Sequence, residues 1–412
     1  MVTSTDCIEM TDDNCLDFEM KKKEILYSAW RLVDTNYAFF KFKDIDWWSV
    51  WSKYEKCIKQ ISTYKSLYQI IENMLYELED AHTKLVYSPY IARQGIIPLT
   101  LKYLNNDFYV IKKPGNGLPS EALKLLQIND ISMKEIENKF SDKIKYKENS
   151  AKINAIMSKI LNGEIGYDLS LRMRSMTGEI IEENIKYQSL ANIKNFDFSL
   201  SNLKKSLHFC ETRNFGKEIG YIKIHSFQMK NVVAEFEKLI LCMDNKHSLI
   251  IDIRGNDGGS VENAIKTVGL LLNKSLLLGY KIKRDGTVNH YGYKAPEPII
   301  IRPSKVNVMF NKIFVLCDEF TMSSAEFIFL NALKKSECNT IVIGQKTAGL
   351  INIASIYTLF DDTKLQISTA ILTDESGKIL KNKGIIPDVE VVNTDKIFYG
   401  EDKQLEYALN QC

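Results

Sequence analysis

A serine, a histidine and a cluster of glycines, widely separated in the chain, are the residue types that acyl-transfer chemistry needs. The serine lies in "CDEFTMSSAEFIFLNAL" (317–333), where an apolar run exits at Asp318 and a small-residue elbow, "TMSSAE", opens an amphipathic helical pattern. A hydroxyl at such an elbow is exposed near a helix N-terminus, where negative charge building on a bound acyl group is stabilised. The plainer reading makes Thr321, Ser323 and Ser324 capping residues, with Glu326 as capping-box partner. The glycines lie in "DIRGNDGGSVENAI" (252–265). Gly, Asn and Asp tolerate positive φ, so several backbone N–H groups here can point into one concavity and hold an oxyanion. Ser260 can then cap the helix that follows. An ordinary tight turn is the alternative, and the carboxylate of Asp257 suits an oxyanion site only if it points to solvent.

A serine hydroxyl is a poor nucleophile until a base takes its proton, and neutral imidazole titrates in the useful range. The chain has five histidines: His82, His208, His225, His247 and His290. His82 closes a carboxylate-rich, helical-looking stretch, "LEDAHTKL" (78–85), just before an apolar run. Alone, such a histidine is more often a surface or satisfied core side chain than a base. His225, in "YIKIHSF", is read as structural, and the other three have no supporting context. The eight cysteines include no CxxC pair, and none stands beside a histidine at metal-ligand spacing. Neither a zinc site nor a disulfide framework is indicated, and no metal or organic cofactor is expected.

These residues must be positioned by three kinds of element. After a mobile N-terminus (1–16), residues 17–82 read as helical. "DWWSVWSKYEKCIKQI" has Asp46 as N-cap, and a third helix, "YKSLYQIIENMLYELEDA", leads directly to His82. From about 93 the texture becomes that of a small α+β module. It has a hairpin around Asn105-Asn106, a short helix in "SEALKLL", a strand turning at Asn129-Asp130, a further helix, and two strands flanking "MTGE". From about 205, "EIGYIKIHSF", "SLIIDIRG", "KIFVLCDEF" and "NTIVIGQKT" are short apolar runs, several followed by helical patterns, as a buried, mainly parallel sheet requires.

Taken in order, these stretches resemble the catalytic core of the C-terminal processing and tricorn-like serine peptidases. The pattern there is Asp-x-Arg-x-Asn-x-Gly-Gly after a strand, Ser/Thr-x-Ser-Ala-x-Glu at a helix start, and Gly-Glu-x-Thr-x-Gly. This chain has Asp252, Arg254, Asn256, Gly258 and Gly259, then Thr321–Glu326, then "GQKTAG" at 344–349. "GIIPDVEV" (384–391) resembles the family's closing strand. "NYAFFKFKDIDWWSVW" and "LEDAHT" resemble the helical domain of the tricorn-like branch, whose Asp-Gly-His-Thr carries a catalytic histidine.

The resemblance implies a multidomain α/β protein: a helical domain carrying His82 (17–92), a PDZ-like α+β module (93–190), a crotonase/Clp-like α/β serine peptidase core (205–395) and a C-terminal tail (396–412). It implies Ser323 as nucleophile and His82 as general base. The oxyanion donors would be the N–H groups of Ser324 and of Gly258 or Gly259. The processing branch uses instead a lysine just after the Gly-x-x-Thr-x-Gly turn; Leu350 stands there, and Lys346 falls inside the turn. A peptide or protein substrate and assembly into a homo-oligomer are implied by the same likeness.

The chain departs from the pattern in two places. Lys381 stands at about the position where the tricorn-like branch has a glutamate that steadies the base, and Ala81 precedes His82. Asp374 and Glu375 are the nearest acids in sequence. The departure at Lys381 feeds one rival reading, a catalytically weak or inactive peptide-binding protein of the same fold; the likeness itself implies a second, a carrier of small apolar ligands, since relatives of this fold bind such ligands without hydrolysing them.

Bulk properties set the remaining bounds. A chain of 412 residues is too long for one hydrophobic core. Fifty-four Lys+Arg against 52 Asp+Glu leave a charge of +2, which gives no electrostatic reason for a nucleic-acid or membrane partner. The acidic first residues lack the basic and apolar regions of a signal segment, so a cytoplasmic location is expected.

Overall fold

The computed structural model describes residues 12–87, 94–112, 122–189, 210–243, 245–286, 292–306, 308–380 and 383–412. Three helices come first, Asp12–Asn36, Trp47–Cys57 and Tyr64–Tyr76. The first begins inside the stretch expected to be mobile. Asp46 caps the second as expected, its carboxylate accepting from the N–H groups of Trp48 and Ser49. Two indoles lock the first pair: Trp30 Nε1 donates to the Trp47 carbonyl at 2.9 Å and Trp47 Nε1 to the Trp30 carbonyl at 3.1 Å. The third helix does not run on to His82. Its end tightens into i→i−3 bonds, Leu78 N–H to Leu75 and Glu79 N–H to Tyr76, and Glu79 takes φ +47°. The chain thus turns out of the helix before the histidine.

The helices pack on an antiparallel sheet in which Lys364–Thr373 is flanked by Lys84–Tyr87 and Leu276–Lys283 on one side and Ile353–Thr358 on the other. Leu365, Ile367 and Ile371 of that central strand join Trp30, Trp47 and Ile71 in one core. The strand that follows His82 is therefore anchored in a sheet built almost wholly from residues beyond 275.

The parallel sheet forms where four apolar runs were expected. Ile219–Ile224, Ser248–Asp252, Lys312–Cys317 and Thr340–Gly344 pair in parallel, with Val389–Glu390 added at one edge and antiparallel Cys210–Thr212 at the other. Both faces are covered, which is why the runs are apolar throughout rather than alternating. One face carries the main core. On the other, Leu405 and Ala408 of the helix Lys403–Asn410 pack against Tyr221, Phe314 and Ile343. The segment expected to be a tail is a docked helix.

The module between them is a five-strand antiparallel path, Thr100–Leu104, Asp107–Lys112, Leu123–Ile128, Asp168–Arg174 and Ile180–Lys186, covered by the helices Met133–Ser141 and Asn149–Leu161. Asn105, Asn106, Asn129 and Asp130 all have positive φ, at the two turns expected. Leu123 already pairs with Val110, so the short helix expected over "SEALKLL" gives way to strand; Ser120 and Glu121 lie outside the described residues. The module's core includes Met322 and Leu350, one beside Ser323 and the other just after the "GQKTAG" turn. Among the described residues no helix is long and apolar enough to cross a membrane.

Candidate active site

The glycine loop and the serine elbow leave the carboxyl ends of neighbouring parallel strands, Asp252 standing opposite Leu316 in register. In such sheets the crevice beyond the strand ends is where ligands bind. The loop is fixed from below. Asp252 is fully buried and accepts from Arg254 Nε at 2.9 Å, Arg254 Nη2 at 2.6 Å and Tyr221 Oη at 2.8 Å. Burial alone would raise its carboxyl, but the Arg254 guanidinium and Lys223 hold it far below the usual range. Arg254 also grips Asp402 of the C-terminal helix through two contacts of 2.8 and 2.7 Å.

Above this base, Asn256 organises the turn. Its Nδ2 donates to the Ile224 carbonyl and its Oδ1 accepts the Gly258 N–H, both at 2.9 Å, while its carbonyl accepts the Met322 N–H at 3.0 Å. The Gly258 N–H expected as an oxyanion donor is therefore spent inside the loop. The carbonyl of Gly258 accepts the Phe227 N–H and the Ser260 N–H donates to Phe227, whereas the N–H of Gly259, between them, has no partner among the described residues. Gly258 has φ +89°, and a Cβ added there would stand 2.7 Å from Ser323 Cβ and 3.0 Å from the Ser324 nitrogen. Only glycine lets this backbone lie against the serine. Asp257 points outward, exposed, and accepts from Ser226 Oγ at 3.1 Å.

Ser323 has φ +58°, an unusual left-handed conformation for a residue with a Cβ. Two contacts hold it there: its N–H donates to the Leu350 carbonyl at 2.8 Å and lies 3.3 Å from Glu326 Oε1. The chain then winds as a π-helical turn, Ala325–Leu330, before becoming α-helical at Asn331. Glu326 does more than the capping-box reading allowed. Fully buried, its Oε2 also accepts from Thr347 Oγ1 at 2.5 Å and from the Gly349 N–H at 2.9 Å, joining the elbow to the "GQKTAG" turn. Burial pushes this carboxyl up to about 7 against the pull of those donors. Ser324 is buried beside Gly258, and its N–H, like that of Gly259, has no partner among the described residues.

His82 arrives from the other side, on the turn 80–83. Asp80 Oδ1 accepts the His82 N–H at 3.1 Å, Asp80 Oδ2 accepts from Thr83 Oγ1 at 2.8 Å, and the His82 carbonyl accepts from Gln366 Nε2 at 2.9 Å. Asn352 Nδ2 reaches Asp80 Oδ1 at 3.4 Å. Asn352 is two residues from Leu350, whose carbonyl holds Ser323, so the histidine's turn is tied to the serine's support. A small cavity lined by Tyr37, Asp80, Glu148, Gly349, Leu350 and Asn352 lies in this seam. The imidazole is half-buried, and its Nδ1 has no partner among the described residues. Desolvation pushes the ring down to about 4, with Asp80 opposing and Lys84 adding to the shift. No hydrogen bond joins the ring to Ser323 Oγ here; such contacts often tighten only when substrate binds.

Of the other residues singled out in the sequence, Lys381 lies outside the described residues. Asp374 accepts from Ser376 and Lys378 within its own exposed turn, and Glu375 pairs with Lys335, so neither serves His82. His225 faces Glu211 on the adjoining strand at 2.8 Å, in keeping with a structural role. The residues that sequence reasoning missed are Asn256 as the loop's organiser, and Asp80 and Asn352. Asp80 sat in view within "LEDAHTKL"; Asn352 carried no signal.

The chain has clear likenesses. Residues 218–391 match peptidase family S41 and residues 18–76 match the tricorn protease C1 domain. A protein of Sulfurisphaera tokodaii, provisionally described as a tricorn-like protease C-terminal subunit, is 26% identical over 408 residues, which cover 96% of this chain and 43% of that one. A carboxyl-terminal-processing protease of Picosynechococcus sp. is 23% identical, covering 94% of this chain and 87% of that one. Among solved structures, mature CPAF complexed with lactacystin is similar with a TM-score of 0.74 at 15% identity, covering 95% of this chain and 98% of that one. The photosystem II D1 C-terminal processing protease is similar with a TM-score of 0.55 at 17% identity, covering 94% and 96%. At such identities the structures show likeness of fold alone. The chain spans less than half the length of the first of these relatives.

Proposed function

For a chain that carries a peptidase family S41 domain, that of a serine-type peptidase, behind a tricorn protease C1 domain, we propose hydrolysis of peptide bonds with Ser323 as nucleophile and His82 as general base. Ser323 Oγ attacks the scissile carbonyl while His82 takes its proton. The oxygen of the tetrahedral intermediate is held by the N–H groups of Ser324 and Gly259, and His82 returns the proton to the departing amine. Water, deprotonated by the same ring, then releases the acyl group and regenerates the serine. Donors fixed in advance of the reaction are where most of the rate gain arises, each contributing about 10²–10³ in turnover. The observation that carries this reading is the contact of Gly258 with Ser323 and Ser324, with Ser323 held at φ +58°.

The module of residues 93–190 is proposed to be PDZ-like and to present an extended peptide by adding it to a sheet edge. Residues 205–395 are proposed as a crotonase/Clp-like core, and the helical domain 17–92 as the carrier of the base. A cytoplasmic peptide hydrolase assembled into a homo-oligomer accords with the resemblance to the tricorn-like branch.

The test is turnover of a mixed peptide library by the purified protein beside Ser323→Ala and His82→Ala, with covalent labelling of Ser323 by a serine-directed phosphonate. Cleavage and labelling lost in both variants support the assignment. Cleavage that survives Ser323→Ala sinks it. One observation favours a second reading: the unpartnered Nδ1 of His82 suits a protein that binds peptides without cutting them, and peptide binding with no labelling would select it.

A further inference from the structure

We propose that Asp80 is the positioning residue for His82, fixing the turn that presents the ring and supplying the negative charge that steadies the imidazolium, a task the family resemblance gives to a glutamate at about whose position this chain has Lys381. The proposal rests on the peptidase reading above and goes beyond it.

The geometry is specific to this carboxylate. Asp80 is 5% exposed, and each of its oxygens is engaged by a neutral donor: the His82 N–H and Asn352 Nδ2 at Oδ1, and Thr83 Oγ1 at Oδ2. Thr83 Oγ1 in turn accepts the Ser368 N–H at 3.1 Å, and the Thr83 N–H donates to the Asp80 carbonyl. The turn is thereby pinned to the antiparallel sheet on one side and to the segment supporting Ser323 on the other. Among the described residues Asp80 has no ion pair, and Lys84 acts on it only through space. A buried carboxylate with no cation in contact is costly. The positive charge that His82 gains when it takes the serine proton would add to its relief.

The groups around the site agree. Tyr37 is fully buried, and it lines the same cavity as Asp80, close enough for its hydroxyl to interact with that carboxylate. Burial and the charges of Asp80, Glu148 and Glu79 hold its hydroxyl protonated, so it faces Asp80 as a donor. Lys43 is engaged with the carbonyls of Leu78 and Glu79, and Lys147 pairs with Glu79 at 3.1 Å. Glu148 faces the cavity from the small module. Lys84, on the strand after His82, faces Asp257 and Asp80 and opposes protonation of the ring. Asp80 is the charge that favours the imidazolium.

Asp80→Asn keeps the shape and an acceptor for the His82 N–H while removing the charge. Its readout needs no catalysis: the imidazole ¹³C shifts of His82 are followed with falling pH in a Ser323→Ala chain. The ring is expected to begin protonating as the pH nears 4; with Asp80→Asn the onset should move down by about 1 pH unit or more. In the active enzyme the same change should lower kcat by about 10²-fold with KM little altered, and Asp80→Glu should restore part of it. An unmoved titration overturns the proposal, whatever the activity. Asn352→Ala removes the tie to the serine's support but leaves the charge. It should lower kcat without moving the titration, and an unchanged kcat overturns the positioning role even if Asp80→Asn fails to fold. A parent enzyme that cleaves nothing defeats the peptidase reading instead, and the titration still decides the pairing.

Discussion

Ser323 and His82 are held in place by different means. Around Ser323 most polar groups of the loop and elbow are spoken for, although the buried hydroxyl of Ser324 has no partner among the described residues. Asn256, Asp318, Thr321 and Glu326 each bond to backbone of a neighbouring segment. The elements are adjacent strands of a single sheet, and a left-handed serine is affordable because so many contacts over-determine it. Around His82 the support is borrowed. Its turn hangs between the helices and a sheet strand some 280 residues downstream, and one nitrogen of the ring has no partner among the described residues. On the proposed reading the serine is fixed by local geometry, and its base is delivered by packing between segments distant in sequence.

The sharpest way to break that contrast is Ser323→Gly. Turnover should fall by about 10⁴–10⁶, yet the chain should gain roughly 1 kcal/mol of stability, because glycine accepts φ +58° without strain. Chemical denaturation beside a peptide assay reads both, and a destabilised variant would mean the serine is not strained. Next in size is Gly258→Ala. A Cβ cannot fit 2.7 Å from Ser323 Cβ, so the oxyanion donors should be displaced and kcat should drop by about 10²–10³. An enzyme that tolerates this methyl group has a looser loop than described.

A smaller effect separates the halves by pH. Glu326 has its carboxyl raised from 4.5 to about 7 by burial. In the folded chain it binds a proton that the unfolded chain has released, so its contribution is complete below pH 4.5 and lost as pH rises through about 7. Urea midpoints should fall between pH 5 and 8, and Glu326→Gln should flatten that slope. His82, displaced downward, contributes in the opposite direction at the acid end, with stability present above its ordinary value of 6.5 and lost as pH falls through about 4. The least effect is expected from Glu375→Ala, whose partner is the surface residue Lys335. Stability should change by less than about 0.5 kcal/mol and kcat not at all; a clear loss of activity would restore Glu375 as a partner of the base.

Much of this was legible in the chain because it is written locally. Four apolar runs became the parallel strands, the Asn-Asn and Asn-Asp pairs became left-handed turns, and the two elbows came together. What escaped reading depends on partners far off in sequence. The apolar periodicity of the third helix gave no sign that Glu79 would turn out of it. The glycine loop revealed that N–H groups would be turned inward, but not that Asn256 would claim the one on Gly258. The role of Asp80 needs Asn352, 272 residues away, to be seen. Residues 396–412 looked like a tail because a single short amphipathic helix carries little signal without the sheet face it covers.

That docked helix has a consequence in time. Arg254, under the glycine loop, is gripped by Asp402, 148 residues further along the chain. During synthesis at about 5–20 residues per second, the loop spends many seconds with its arginine facing only Asp252. The strands beneath it can pair in that interval, but the grip of Asp402 on Arg254 forms only after Asp402 has left the ribosome.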